Sequence, residues 1–317
     1  MNLKNKKIIV TGGAGVIGRE LVPRLVGAGA VVRCIDIAPK PKEFEGLDIE
    51  YSQRDLSYAN TIDFLKFDPE IIFHLAAVFE RTKEEIGFWD LNFQNEVMLN
   101  HNVFTAAREC KNLKKFVFAS SYLIYDFSQY LFPRAQKNAF PLREDIGMNP
   151  RNLCGATKLY AEKELEYLSR FEELYKFKVV SARIFRVYGR GSGDVISRWV
   201  RAGLGGEKSI EVFMEENRFD YIYAGDVADA LLGLSKKDNA KGIVNIGTGK
   251  PASIKDVVNT LKGFIPSLAV KKSSEKGLFE ASVADTKKLR SYVSWKPLDI
   301  KKGVKLVIAY EKEQERR

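Results

Sequence analysis

Short apolar runs alternate with amphipathic stretches through the first 185 residues. Ile8–Val10, Val31–Ile35, Ile49–Ser52, Pro69–His74, Phe116–Ala119 and Val179–Ile184 read as strands. Their near-continuous apolar character suits strands buried on both faces. Between them lie helical patterns. One carries Leu21, Leu25 and Val26 on a single face, one spans roughly 57–67, and two long ones cover about 83–110 and 155–175. Strand–helix alternation of this kind predicts an α/β fold, a Rossmann-type doubly wound parallel sheet. Beyond Tyr188 the texture changes, with glycines at 189, 191, 193, 203, 205 and 206 separating shorter elements. Helices are expected near Val195–Ala202, Asp226–Leu234, Ser253–Leu261 and Lys301–Lys312, and strands at Glu211–Phe213, Tyr221–Tyr223 and Ile243–Ile246. The pattern divides the chain into a larger lobe, 1–185, and a smaller C-terminal lobe, 186–317, the two interleaved.

The first unit carries the most specific signal. The strand Ile8–Val10 runs into Thr11-Gly12-Gly13-Ala14-Gly15-Val16-Ile17-Gly18 and then into a helix. Such a turn lets a phosphate approach backbone N–H groups and the positive end of a helix dipole. The second strand ends in Asp36, eighteen residues after Gly18. An acid there accepts hydrogen bonds from both ribose hydroxyls and repels a 2′-phosphate, which favours NAD over NADP. Asp55, at the end of the third strand, either accepts from the adenine amino group or caps the following helix. Leu75-Ala76-Ala77, after the fourth strand, leaves room for a ligand at a strand end.

Composition narrows the class. The chain has 317 residues, 45% hydrophobic and 29% charged, as in soluble globular proteins. No apolar run approaches the ~18 residues of a membrane span, and Met1-Asn2-Leu3-Lys4 lacks a signal-peptide core. Cys34, Cys110 and Cys154 are too scattered for a disulfide or metal framework, and His74 and His101 are the only histidines. These features predict a cytoplasmic protein without a metal site. The net charge of +10 is spread over scattered lysines, with no nucleic-acid motif. It reads as a basic solvated surface whose field draws anionic small molecules.

Taken together, these residues resemble the extended short-chain dehydrogenases/reductases of the nucleotide-sugar epimerase/dehydratase group, the UDP-glucose 4-epimerase type, over nearly the whole chain. Residues 11–18 resemble the family's cofactor motif, with Gly12, Gly15, Val16, Ile17 and Gly18 at the dinucleotide. The resemblance puts Asp36 at the ribose, Asp55 and Leu56 at the adenine, and Leu75, Ala76 and Ala77 along the dinucleotide. It also puts Ser120 beside the cofactor. Asn92, with Asn95 as its rival, takes the place of the family asparagine on the long helix. Phe118-Ala119-Ser120-Ser121-Tyr122-Leu123-Ile124-Tyr125 resembles the catalytic strand end, with Ser121 at the catalytic Ser/Thr position. Arg183-Ile184-Phe185-Arg186-Val187-Tyr188-Gly189, Phe219–Tyr223 and Asn245–Gly249 match later landmarks.

The departures fall on the chemistry. The family's Tyr-x-x-x-Lys reads Cys154-Gly155-Ala156-Thr157-Lys158. In the family, the phenol takes a proton from a sugar hydroxyl while hydride passes to the nicotinamide, and the lysine holds the nicotinamide ribose. A thiol, with a reference pKa near 8.5 against about 10 for a phenol, is the better acid, and Lys158 one turn away lowers it further. Its sulfur, however, lies much closer to the backbone, and reach comes before pKa. Tyr122, beside Ser121, is the alternative proton carrier if it swings into the vacated space. Tyr122-Leu123 also replaces the Asp-Glu pair of the dehydratase branch, which disfavours a standard 4,6-dehydratase. On the substrate side Arg186 stands for the usual asparagine, Phe219 for a diphosphate-binding arginine and Glu275-Lys276-Gly277 for Arg-x-Gly. Arg186, Arg190, Arg218 and Lys276 are the candidates to hold the nucleotide, since arginine forks suit phosphate. The resemblance implies an NAD-dependent epimerase of a nucleotide-activated sugar, with an atypical dehydratase or oxidoreductase as one alternative and a redox-silent binding protein as another. It also implies a homodimer paired through the two long helices, the second of which carries Leu159, Leu165 and Leu168.

Overall fold

The computed structural model describes all residues except 59–61, 78–85, 172–176, 207–208, 275–276 and 317. Seven parallel strands form the central sheet. Their spatial order is Gly242–Ile246, Lys178–Ile184, Lys115–Ser121 (β5), Ile71–His74 (β4), Lys7–Thr11 (β1), Val31–Asp36 (β2) and Ile49–Gln53 (β3). Strand order reverses between β1 and β4, so their carboxyl ends open a crevice at the switch point. The register places Thr11 beside both Ile35 and His74, which brings the ends of the three strands level. β4 is buried throughout, as a sheet covered on both faces requires.

One face packs against the helix Gly18–Gly27 (α1) and the helix Ala224–Ser235, through Leu21, Val22, Leu25, Val227 and Leu231. The other face meets Phe64, Val103, Phe104, Ala161 and Leu165. A third core, around Trp199, Val200, Val257, Leu261, Val304 and Val307, holds the smaller lobe together. Its helices are Val195–Leu204, Ile254–Phe264 and Ile300–Glu315.

Two expectations from local pattern change. Position along the chain put the strand at Ile243–Ile246 and the helix before it in the smaller lobe. Both lie on the main sheet: the strand Gly242–Ile246 hydrogen-bonds along Lys178–Ile184, and the helix packs on α1. The return satisfies the outer backbone groups of Lys178–Ile184, which would otherwise form a bare edge. The helix expected over 83–110 is also not one regular α-helix. From residue 86 it runs as α-helix to Asn92, π-helix over Phe93–Met98, then α-helix over Leu99–Glu109. The wider turn absorbs extra chain within a continuous helix, a device common at functional sites. Positions 83–85 of that helix, 59–61 of the 57–67 helix and 172–175 of the 155–175 helix lie outside the described residues.

Candidate functional site

The glycine turn is built to be approached closely. Gly12 has φ +70°, and a Cβ there would lie 2.5 Å from the Ala76 nitrogen. Only glycine lets the turn press against the chain leaving β4. The Leu75 N–H donates to the Thr11 carbonyl at 3.1 Å and the Ala76 N–H to the Thr11 hydroxyl at 3.3 Å. Gly12, Leu75 and Ala76 are thereby brought together, with Ala77 following in the chain. A Cβ on Gly18 would lie 2.4 Å from the Gly13 carbonyl oxygen, which is why α1 begins on a glycine. Gly15 donates its N–H to the Gly12 carbonyl at 3.1 Å, and Ile17 stands at the helix cap. Val16 faces Gly189, where a Cβ would come within 3.0 Å of its methyl.

Asp36 lies beside this turn. Its carboxylate accepts from the Ala14 N–H at 2.8 Å and the Ala38 N–H at 2.9 Å. The charge is thus fixed against the glycine loop. Asp55 accepts from the N–H and hydroxyl of Ser57, at 2.9 and 2.6 Å, and so holds the turn after β3, while Leu56 is buried in the core.

At the end of β5, the Ser121 hydroxyl accepts from the Leu123 N–H at 3.2 Å. The helix Leu153–Ser169 starts against this turn. A Cβ on Gly155 would lie 2.5 Å from the Leu123 carbonyl oxygen, and the Asn152 side chain caps the helix through the Gly155 N–H at 2.9 Å. That contact sets the first turn of the helix, which carries the half-buried Cys154, against the turn that follows Ser121. Cys154 forms no disulfide. Lys158, one turn on, is 5% exposed and sits 4.9 Å above the Phe118 ring.

The side chain set against Lys158 is Glu96, from the π-turn, 3.4 Å away and 1% exposed. The resemblance points instead to Asn92 or Asn95 on this helix. Asn92 is buried at the end of the preceding α-helical segment. The one available sequence signal for Glu96 is an acid among apolar residues on a helix that already looks lengthened.

Several expected site residues are committed elsewhere. Ser120, expected beside the cofactor, donates its hydroxyl to Glu162 at 2.5 Å. Glu162 also takes both nitrogens of the Arg183 fork, at 3.0 and 2.7 Å. The Tyr122 ring does not swing toward Cys154. It stacks on Phe185 at 5.0 Å, and its hydroxyl donates to Glu280 at 3.0 Å. Burial pushes the Tyr122 pKa up, the wrong direction for a base. Arg190 is engaged within the protein. Its fork closes on Glu20 of α1 at 2.8 and 2.6 Å, tying the lobes together. Arg218 turns its Nε to the Gln136 carbonyl at 3.2 Å. Lys276 lies outside the described residues.

Arg186 does face a cleft. Its guanidinium lies 4.0 Å over the Phe219 ring and 3.9 Å from Glu280, which is held in turn by Arg151 at 2.5 Å. It lines a cavity of about 820 Å³ in the smaller lobe with Arg198, Trp199, Phe213, Phe219 and Tyr221. Arg198 and Trp199 carry no signal in the sequence, because a basic residue beside an aromatic one on an amphipathic helix looks like any surface helix.

The residues present fit a dinucleotide: a turn that a single Cβ would fill, an acid at the second strand end, and a buried ammonium, Lys158 Nζ, without a hydrogen-bond partner among the described residues. The comparisons agree. The model of the NAD dependent epimerase/dehydratase family matches residues 8–247. A putative UDP-glucose 4-epimerase of Methanocaldococcus jannaschii is 31% identical, over 98% of this chain and 99% of its own. The structure of MoeE5 in complex with UDP-glucuronic acid and NAD superposes with a TM-score of 0.84 at 25% identity, covering 97% of this chain and 99% of that one. The Thermus thermophilus UDP-glucose 4-epimerase in complex with NAD gives 0.80 at 25% identity, covering 96% and 99%. A glycine turn, an acid and a buried lysine on the expected elements, together with these matches, show that the chain belongs to the NAD-dependent epimerase/dehydratase family.

Proposed function

We propose that this protein is an NAD-dependent epimerase that inverts one carbon of a nucleotide-activated sugar. The observation that carries the reading is the packing of Gly155 on the Leu123 carbonyl, which sets the start of the helix bearing Cys154 and Lys158 against the turn that follows Ser121. When bound, NAD supplies the hydride acceptor. Gly12 and Gly15 hold its pyrophosphate, Asp36 its adenosine ribose and Lys158 its nicotinamide ribose. Ser121 hydrogen-bonds the reacting sugar oxygen. With Tyr122 held by Glu280, the reading gives the hydroxyl proton to Cys154, as thiolate. The cavity of the smaller lobe takes the nucleotide, with Arg186 and Arg198 supplying positive charge and Trp199 and Phe213 an apolar wall.

The test is to incubate the purified protein with uridine-diphosphate sugars and follow the appearance of the epimer. Cys154→Ala is expected to abolish turnover and leave NAD affinity nearly intact, because Lys158 and the glycine turn are untouched. Full turnover in that variant overturns the assignment of the proton. A second reading, a redox-silent binding protein, is favoured by one observation: the family's phenol is a thiol here. Tight binding of a sugar nucleotide with no epimer formed, in the wild type and in Cys154→Tyr alike, supports that reading.

We also propose a homodimer. The helices at 86–109 and 153–169 are neighbours in space, and they expose Trp89, Phe93, Tyr160 and Tyr167 by 63%, 55%, 53% and 58%. Aromatic side chains this exposed on adjacent helices form the kind of patch that a second copy covers.

A further inference from the structure

We infer that Arg19 and Tyr51 are positioning residues that aim the Asp36 carboxylate at the cofactor ribose. This rests on the binding of NAD at the glycine turn and not on the identity of the sugar. Asp36 accepts from the Ala14 N–H on Oδ2 at 2.8 Å and from the Ala38 N–H on Oδ1 at 2.9 Å. Each of these two residues is pinned in turn by its own carbonyl. Arg19 Nε donates to the Ala14 carbonyl at 2.8 Å, and the Tyr51 hydroxyl donates to the Ala38 carbonyl at 2.7 Å. Burial, with the charge of Asp36 nearby, pushes the Tyr51 pKa up, so the phenol keeps its proton and stays a donor. The two arms come from different elements, Arg19 from the first turn of α1 and Tyr51 from β3. Arg19 is itself anchored. Its Nη1 meets Glu43 at 3.1 Å, and Glu43 accepts at 3.0 Å from the hydroxyl of Tyr310, on the helix Ile300–Glu315.

The arrangement matters because neither Ala14 nor Ala38 lies in a helix or a strand. Ala14 stands between Gly13 and Gly15, and Ala38 lies two residues past the end of β2. Glycine-rich backbone has little stiffness of its own, so the place of Ala14 is set by what it bonds. An acid that accepts from two ribose hydroxyls at once must hold both oxygens in position, since a hydrogen bond weakens steeply outside a narrow range of distance and angle. Each carboxylate oxygen keeps a further lone pair beside the bond to Ala14 or Ala38. Fixing those two N–H groups therefore fixes where the remaining lone pairs point.

The experiment measures the NAD dissociation constant by calorimetry on the full-length protein freed of nucleotide, with no sugar present. Arg19→Met and Arg19→Gln both remove the charge and the tie to Glu43, but only glutamine puts an N–H where the arginine Nε stands. Arg19→Met is expected to bind NAD about fivefold more weakly than Arg19→Gln, and Tyr51→Phe about fivefold more weakly than wild type, each for the loss of one hydrogen bond. In an Asp36→Ala background both differences are expected to shrink to within about twofold, because the group being aimed is gone. Equal constants for Arg19→Met and Arg19→Gln overturn the role of Arg19, and a wild-type constant for Tyr51→Phe overturns that of Tyr51. A difference that persists undiminished in the Asp36→Ala background does the same, since the side chain then serves the loop and not the carboxylate. If Arg19→Met does not fold, Tyr51→Phe, which loses only a hydroxyl, decides by the same comparison. An Asp36→Ala protein with wild-type NAD affinity instead overturns the place of Asp36 at the ribose, and the inference with it. Because no sugar enters the assay, a protein inactive on every sugar nucleotide still gives the answer.

Discussion

Glu162→Gln tests how the strand end that carries Ser121 is held. Arg183 is completely buried, and Glu162 meets its fork with two bonds, at 3.0 and 2.7 Å, while also accepting from Ser120 at 2.5 Å. The pair raises the Arg183 pKa, so the guanidinium stays charged at every accessible pH. Glutamine keeps the size and one acceptor oxygen and removes the countercharge. The Tyr125 ring, 4.6 Å from the guanidinium, is present in both proteins and compensates nothing. Breaking a buried pair from one side costs about 3–5 kcal/mol, because an uncompensated charge remains inside. That is a large part of the ~5–15 kcal/mol by which domains are stable. The assay is urea unfolding followed by tryptophan fluorescence, with a lower midpoint and an unchanged slope expected. Replacing both partners, Glu162→Leu with Arg183→Met, is expected to cost far less than the single change, since no charge is stranded. A Glu162→Gln protein within about 1 kcal/mol of wild type would refute the reasoning.

Gly12→Ala should lower NAD affinity at least about tenfold, because the added Cβ meets the Ala76 backbone and must adopt a left-handed conformation; an affinity within twofold of wild type in an equilibrium titration would contradict this. NAD should bind much more tightly than NADP, and Asp36→Asn should narrow the gap, because the carboxylate at the glycine loop repels a 2′-phosphate; equal NADP affinity in the wild type would end that claim. His74, held neutral in the fold with a pKa near 3, gains a proton on unfolding below its ordinary value of 6.5. It therefore stabilises the protein above pH 6.5, and the stabilisation fades by up to about 1.4 kcal/mol per pH unit as pH falls toward 3. Comparing denaturation midpoints at pH 7.5 and 5 for wild type and His74→Gln checks this, with the smaller difference expected in the variant. Sedimentation should show a dimer that Trp89→Glu with Tyr160→Glu dissociates; a wild-type monomer at all concentrations would exclude it.

Local pattern was enough for the strand, turn and helix around Gly12–Gly18, for Asp36 at a strand end, and for the one-turn spacing of Cys154 and Lys158. Each depends on neighbours within a few residues, where periodicity, glycine conformation and helix pitch act directly. The partners of the charged groups followed a different logic. Arg190 resembles a phosphate ligand in the sequence and is taken by Glu20, 170 residues away. Tyr122 is adjacent to Ser121 and is claimed by Glu280, 158 residues away. Ser120 is claimed by Glu162. A buried polar group must find a partner, and which one it finds depends on where the topology brings distant elements together. The same holds for the strand Gly242–Ile246, whose place was decided by the open edge of Lys178–Ile184, and for Glu96, which a widened turn carries to Lys158.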